Sequence, residues 1–308
     1  MFTLAHLSDI HLTPTAPVRL RDLRLKRLTG LANWHRKRKA MHLPATLEAI
    51  VRDMLAQRPD HIAVTGDLVN IGLPQEHIAA LDWLKSIAPP AYISVVPGNH
   101  DVYVRTFREP GHMRWRDYMV SNFAGAALLD GNDAGKIGGF PYARQFGDVL
   151  LVGLCSGVPK VPFVAAGRLG SDQLALLAPL LAQAGRLNLA RIVLIHHPPL
   201  PGQATRLRGL EDADDLAALL NEQGAELVLH GHNHQNSLAW CPTGGGAGKA
   251  IPVVGVASAS MGVAKHEPLA RYNLYRLQTV QGQLAIEIIG RGLMEPGGPI
   301  VELERKIL

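Results

Sequence analysis

Thiols are almost absent from this 308-residue chain: Cys155 and Cys241 are its only cysteines, far apart and outside any CxxC or Cys/His spacing. That excludes a disulfide scaffold and a zinc finger and leaves both as small core hydrophobes. No stretch approaches the roughly 18 unbroken apolar residues of a spanning helix. Met1 to Asp9 has neither a basic n-region nor a long apolar h-region, so the expectation is a cytoplasmic protein. A phosphate loop is missing too, because Thr243–Ala250 has Thr243 where the first glycine belongs and Ala250 in place of Ser/Thr; it reads as a flexible hairpin loop. Charged residues are only 19% against 47% hydrophobic, a balance that excludes disorder as the main state. The length suits one large layered α/β domain over 1–308.

What charge there is sits unevenly. Arg19 to Leu43 holds nine basic residues (Arg19, Arg21, Arg24, Lys26, Arg27, Arg36, Lys37, Arg38, Lys39) against the single acid Asp22. The whole chain carries only +5, so everything outside this stretch is net acidic. A general nucleic-acid binder needs an extended basic track, which this distribution does not supply, and no specific nucleic-acid partner is expected. On a helical wheel Leu20, Leu23, Leu31 and Trp34 of the basic stretch share roughly an 80° arc. Arg24, Arg27 and Arg38 intrude on that face and Gly30 interrupts the helix. The 19–43 insert is therefore either a solvated cap over the site or a peripheral contact with an anionic membrane surface, which would place the protein at the inner membrane.

Elsewhere the pattern alternates. Strand-like runs Thr3–Ser8, His61–Thr65, Ala91–Val96, Arg191–Ile195 and Glu226–His230 are separated by helical periodicities at Ala45–Gln57, with Pro44 at its first turn, and near Gln75–Ser86, His112–Asn122, Ser171–Ala184 and Asp212–Gln223. Ser171 is the expected N-cap of one helix and Gly224 the terminator of another. A hairpin is expected at Tyr142–Gln145 with Val149–Leu154, and a helix-free run of strands follows His230: Ser237–Trp240, Ile251–Val256, Tyr272–Thr279 and Gln283–Ile289. The order predicts a layered α/β fold with mixed sheets.

Polar residues fall just after successive strands, where α/β sheets present their chemistry. Five strand ends carry Asp9-Ile10-His11, Gly66-Asp67, Gly98-Asn99-His100-Asp101, His196-His197 and Gly231-His232-Asn233-His234. Any one pair is ordinary, but five together are hard to explain by packing, since burying that many polar groups without strong partners costs several kcal/mol. Carboxylate, amide and imidazole donors without thiolates suit Mn, Fe, Co or Zn. The donors exceed the needs of one ion, and a carboxylate-bridged pair of metals would clamp an in-line displacement at phosphorus and generate hydroxide near neutral pH.

These blocks, in this order, resemble the five blocks of the calcineurin-like metallophosphoesterase family, in its bacterial phosphodiesterase branch. The resemblance covers residues 9 to 234. It implies a four-layer α/β/β/α sandwich of two mixed β-sheets flanked by helices. It also implies two divalent or mixed-valence metal ions, with Asp9, His11, Asp67 and His234 on the first and Asp67, Asn99, His196 and His232 on the second. His100 would stabilise the transition state or protonate the leaving oxygen. His197, the variable residue of the His-x-Pro block, would line the substrate cleft, and Asn70 would be a second substrate-binding residue. The Ser/Thr phosphatase branch carries an acid three residues after the bridging Asp; here that position is Asn70, which could orient His100 but supplies no charge, so protein phosphatase activity is not expected. His6, His35, His42, His61, His77, His112, His230 and His266 match no block and read as structural. The implied function is hydrolysis of a small phosphodiester, a cyclic nucleotide or another nucleotide-type diester. The alternatives are a membrane-surface UDP-2,3-diacylglucosamine pyrophosphatase of lipid A synthesis, a nuclease, and a non-catalytic binding module.

Overall fold

Runs such as Val149–Gly153 are apolar at every position, which suits a strand buried on both faces, and the structure shows where each face goes. A computed structural model describes residues 1–13, 18, 22, 25–36, 38–105, 110–123, 139–243, 250–263, 267–280 and 283–308. The expected Gly-rich loop (244–249), His266 and parts of the basic insert (19–21, 23–24, 37) lie outside the described residues. The described strands are β1 (Phe2–Leu7), β2 (His61–Val64), β3 (Ile93–Val95), β4 (Tyr142–Phe146), β5 (Val149–Gly153), β6 (Ala190–Leu194), β7 (Leu227–His230), β8 (Ser237–Cys241), β9 (Ile251–Gly255), β10 (Arg271–Val280), β11 (Gln283–Leu293) and β12 (Ile300–Ile307). The α-helices among them are α1 (Leu25–Arg36), α2 (Pro44–Ala56), α3 (Pro74–Ile87), α4 (Ser171–Arg186) and α5 (Ala213–Gln223).

The strands form two mixed six-stranded sheets, ordered β12-β11-β10-β1-β2-β3 and β4-β5-β6-β7-β9-β8. In β5 and β6, Val149, Leu151, Ile192 and Leu194 join the core shared with the first sheet. Their alternates Leu150, Val152, Val193 and Ile195 pack with Leu177 and Leu180 of α4 and Leu216 and Leu220 of α5. The period of two thus divides one apolar run between two cores, which gives helix, sheet, sheet, helix in layers.

Local expectations hold with adjustments. Gly224, at φ 77°, closes α5 as expected, but Ser171 is the first residue of α4 rather than its cap, which is Gly170 at φ 84°. The expected helix near His112–Asn122 is a 3-10 helix, Gly111–Tyr118, whose buried Trp115 and Tyr118 are spaced i, i+3; that spacing puts both on one face of a three-residue turn. Gly30 does not interrupt α1, which runs through it. A Cβ there would lie 2.7 Å from Ile71 Cγ2, so the glycine lets the helix press against the β2–α3 connection.

Two histidines read as structural are core residues with a consequence for stability. The Nε2 atoms of His6 and His61 are paired with Thr65 Oγ1 and Ser94 Oγ, each at 2.8 Å, and both residues are fully buried. Burial, with His230 near His6 and Arg144 near His61, pushes both down to about 3. The unfolded chain therefore binds protons between pH 6.5 and 3 that the folded chain refuses, so stability falls as pH falls through that window, by roughly 1 kcal/mol per pH unit for each histidine. Urea midpoints measured from pH 7 to pH 4 should decline accordingly, and His61→Gln should flatten the slope. An unchanged slope in the variant would remove His61 from this account.

Candidate metal centre

Strands β1, β2 and β3 run parallel to one another, as do β6 and β7. Their C-terminal ends deliver Asp9 and His11, Asp67, Asn99 and His100, His196, and then His232 and His234 to one place. Asp9, His11, Asp67, His232 and His234 have positive φ, between 45° and 69°, and are five of the eight non-glycine residues in that region among the described residues. Such conformations cost roughly 1–3 kcal/mol each and persist where the surrounding structure over-determines them. The loop after β1 is held beside the loop after β2 by Asp9 N–H to Gly66 O (3.0 Å) and His11 N–H to Asp67 O (2.9 Å). Gly98 and Gly231 make the crowding possible: a Cβ on Gly98 would collide with the Asp67 carboxylate, and one on Gly231 with Ser8 and Asp9.

Asp67 is the centre of the cluster. Its Oδ1 accepts the His100 backbone N–H at 2.8 Å, while Oδ2 lies 3.4 Å from His196 Nε2, 3.9 Å from His11 Nε2 and 4.0 Å from His100 Nε2. Asn99 Oδ1 is 3.2 Å from His196 Nε2 and 3.0 Å from His232 Nδ1. On the other side His234 Nε2 is 3.2 Å from Asp9 Oδ1. Carbonyls and carboxylates can only accept, so their positions fix which imidazole nitrogen carries its proton. His196 Nδ1 donates to Thr65 O (2.6 Å), His11 Nδ1 to Val69 O (3.2 Å) and His234 Nδ1 to Glu267 Oε2 (2.6 Å). All three therefore present Nε2 inward.

The residues fit a metal pair on their own chemistry. His11 Nε2 is buried with no hydrogen-bond partner and Asp9 Oδ1 faces only the His234 nitrogen, an arrangement that costs free energy unless a cation takes the lone pairs. Asp9, His11 and His234 place ligand atoms within 4.8 Å of one another, and so do Asp9, Asp67 and His196. Every donor is oxygen or nitrogen, the set that borderline divalent ions prefer. Without an ion the acids and histidines share protons. Burial opposes charge on His196 and His234, but Asp67 beside the first and Asp9 beside the second raise both to about 9. Burial would raise Asp67, but His196 and His100 hold it well below the usual carboxylate range.

Two expected substrate residues sit differently. His197 is fully buried and does not face the cavity: Nε2 donates to Ala165 O (3.0 Å) and Nδ1 accepts from Ser156 Oγ (2.7 Å), so both nitrogens are engaged. Asn70 does orient His100, but through its backbone, since His100 Nδ1 donates to Asn70 O while the Asn70 side chain donates to Leu12 O at 2.7 Å.

Sequence reasoning missed four positioning groups. The Asp101 carboxylate accepts the backbone N–H groups of Asp67 (2.8 Å), Gly98 (2.8 Å), Leu68 (2.9 Å) and Val69 (3.1 Å), which ties two ligand loops together. Glu267 orients His234. His42 is buried, with Nδ1 2.8 Å from Ser260 Oγ and its ring 4.6 Å from that of His11. Arg38 Nη1 donates to His100 Nε2 at 2.8 Å. Asp101 belonged to a quoted block and Arg38 to the basic stretch; nothing in the sequence marked Glu267 or His42 for these roles.

Arg38 also corrects the reading of the insert. Leu31 packs against Ile71, Leu73 and Tyr103, and Trp34 is only 9% exposed. Leu31 and Trp34 of α1 therefore face the protein, while Leu28 stays exposed, and the 3-10 helix Arg38–Ala40 turns its first residue into the centre. Leu20 and Leu23 lie outside the described residues. Among the described residues no helix is long and apolar enough to cross a membrane.

The cavity beside the cluster is about 650 Å³, lined by Asp67, Asn99, His100, His232 and His234 from the centre and by Arg36, Arg38 and His42 from the insert and its exit. Two mixed sheets flanked by helices, with a His/Asp cluster at their strand ends, define a dimetal phosphoesterase scaffold. The profile of the calcineurin-like phosphoesterases matches residues 2–236, and the chain belongs to that family. It is 30% identical over 196 residues to a glycerophosphodiester phosphodiesterase, GpdQ, of Enterobacter lignolyticus, covering 58% of each chain. To a probable cyclic nucleotide phosphodiesterase of Synechococcus it is 27% identical over 190 residues, covering 61% of this chain and 62% of the relative. The chain thus spans about three-fifths of the length of these relatives. Its fold is similar to that of a dimetal phosphatase from Danio rerio (TM-score 0.60, 15% identity, 98% of both chains). It is also similar to a purple acid phosphatase from yellow lupin (TM-score 0.56, 13% identity, 99% of this chain and 53% of that one).

Proposed function

We propose that this chain is a metal-dependent phosphoric ester hydrolase acting on small phosphodiesters. The observation that carries the reading is Asp67 Oδ2, surrounded within 4.0 Å by the nitrogens of His196, His11 and His100. Asp9, His11, Asp67 and His234 would hold one ion, and Asp67, Asn99, His196 and His232 the other. Such a pair supplies Lewis-acid polarisation of the phosphoryl oxygens and activates water as the nucleophile. The protein's own part is to fix the inward nitrogens through Thr65, Val69 and Glu267, to hold the ligand loops together through Asp101, and to place His100 and Arg38 at the open side. The names of the two bacterial phosphodiesterases support a diester over a monoester. Among the described residues the apolar part of the cavity lining, Ala40, Met41, Ala165 and Val263, offers an acyl chain little surface, which weighs against the acylated sugar-nucleotide reading.

Chelated, verified metal-free protein should show no turnover of bis(p-nitrophenyl) phosphate, and Mn²⁺ should restore it at two ions per chain. Undiminished turnover in the metal-free preparation would remove the proposal.

A further inference from the structure

Arg38 is a cation without a direct ion pair among the described residues, although Asp67, Asp9 and Glu267 favour its charge from farther away. Among the described residues no carboxylate lies within ion-pair distance of its guanidinium, and its hydrogen bond there is from Nη1 to His100 Nε2. The side chain is partly buried in the cavity wall and cannot shed its charge, and its remaining N–H groups have no protein acceptor among the described residues. Arg36 and Arg208 line the same cavity, and Arg208 is steered there by donating to His232 O at 3.2 Å. Against these three cations the lining sets two acids, Asp67 and Glu267, and Glu267 is already paired with His234. With two divalent ions added, positive charge exceeds what the single negative charge of a simple diester neutralises. A half-buried guanidinium whose free N–H groups face a cavity is completed by an anion that enters it.

We infer that Arg38, supported by Arg36 and Arg208, forms a subsite for a second oxyanion of the substrate, a phosphoryl or carboxylate group close to the ester on the metals. This rests on the hydrolase reading above and narrows its substrate to diesters bearing more than one negative charge. Arg38 is then the specificity-determining residue contributed by the basic insert. Its Nη1 stays on His100 while the free side of the fork takes the anion, the bidentate geometry that guanidinium provides and ammonium does not.

Three matched ligands test the inference on the Mn²⁺-loaded full chain: propyl phosphate, 3-(phosphonooxy)propanoate and propane-1,3-diyl bisphosphate. Each is measured by calorimetry and as an inhibitor of bis(p-nitrophenyl) phosphate hydrolysis. The two ligands that carry a second anionic group should bind about tenfold tighter than propyl phosphate, as a charge-assisted pair predicts. The advantage should vanish in Arg38→Gln, shrink in Arg208→Gln and survive partly in Arg38→Lys. A gain by the bisphosphate alone supports a phosphoryl-selective subsite, and a gain shared with the carboxylate supports a general oxyanion subsite. No gain with either, or a gain untouched by both glutamine variants, overturns the inference. Calorimetry reads the subsite without turnover, so an intact preference in a protein that hydrolyses no diester would count against the hydrolase reading alone.

Discussion

Asp67→Asn is expected to strip both metal ions and lower diester hydrolysis by about 10³-fold or more, the several kcal/mol that a metal pair contributes to the transition state. The replacement is isosteric, and its amide oxygen can still accept the His100 backbone N–H now held at 2.8 Å. What changes is the other atom. An NH₂ group in the place of Oδ2 removes the lone pairs that face His196, His11 and His100, and it offers hydrogens to the imidazole nitrogens the ions need. On the proposed assignment Asp67 would serve both ions, so both should be lost together. Elemental analysis of the purified variant checks the point: two ions at full occupancy would refute a bridging role for Asp67.

His100→Ala is expected to keep both ions and lose on the order of 10²-fold or more in kcat, the scale of a group acting directly in the reacting zone. The structure narrows how it acts. Asn70 O takes the Nδ1 proton and Arg38 donates to Nε2, while burial and the Arg38 charge push the ring down to about 3. In this arrangement the Nδ1 proton is held by Asn70 O and Nε2 carries none for a leaving oxygen; the ring holds the Arg38 fork against the open side of the centre. The loss should therefore be similar for nitrophenolate and alkoxide leaving groups. A far larger loss with the alkoxide would restore His100 as a proton donor, and a missing ion in the variant would make it a ligand.

Much of this was legible in the amino-acid order. Asp9, Asp67, Asn99, His196 and His232 stand where short apolar runs end, and the period of two in those runs is a local property that survives without knowledge of the fold. Residue type alone set the chemistry, since carboxylate, amide and imidazole without thiolate point to borderline metals. The insert was another matter. The spacing of Leu31 and Trp34 showed an apolar face, but a helix wheel cannot say whether such a face meets lipid or protein; Ile71, Leu73 and Tyr103 are what it meets.

The sequence by itself determined which groups can bind metal and that they lie at strand ends, because both follow from side-chain chemistry and short-range periodicity. The tertiary structure alone decided which nitrogen each histidine presents, that Ser258 would brace the Asp9 carbonyl at 2.6 Å, and that Arg38 would reach His100. Those contacts join residues 249 and 62 positions apart. They depend on the path of the chain between the partners, which no local pattern encodes.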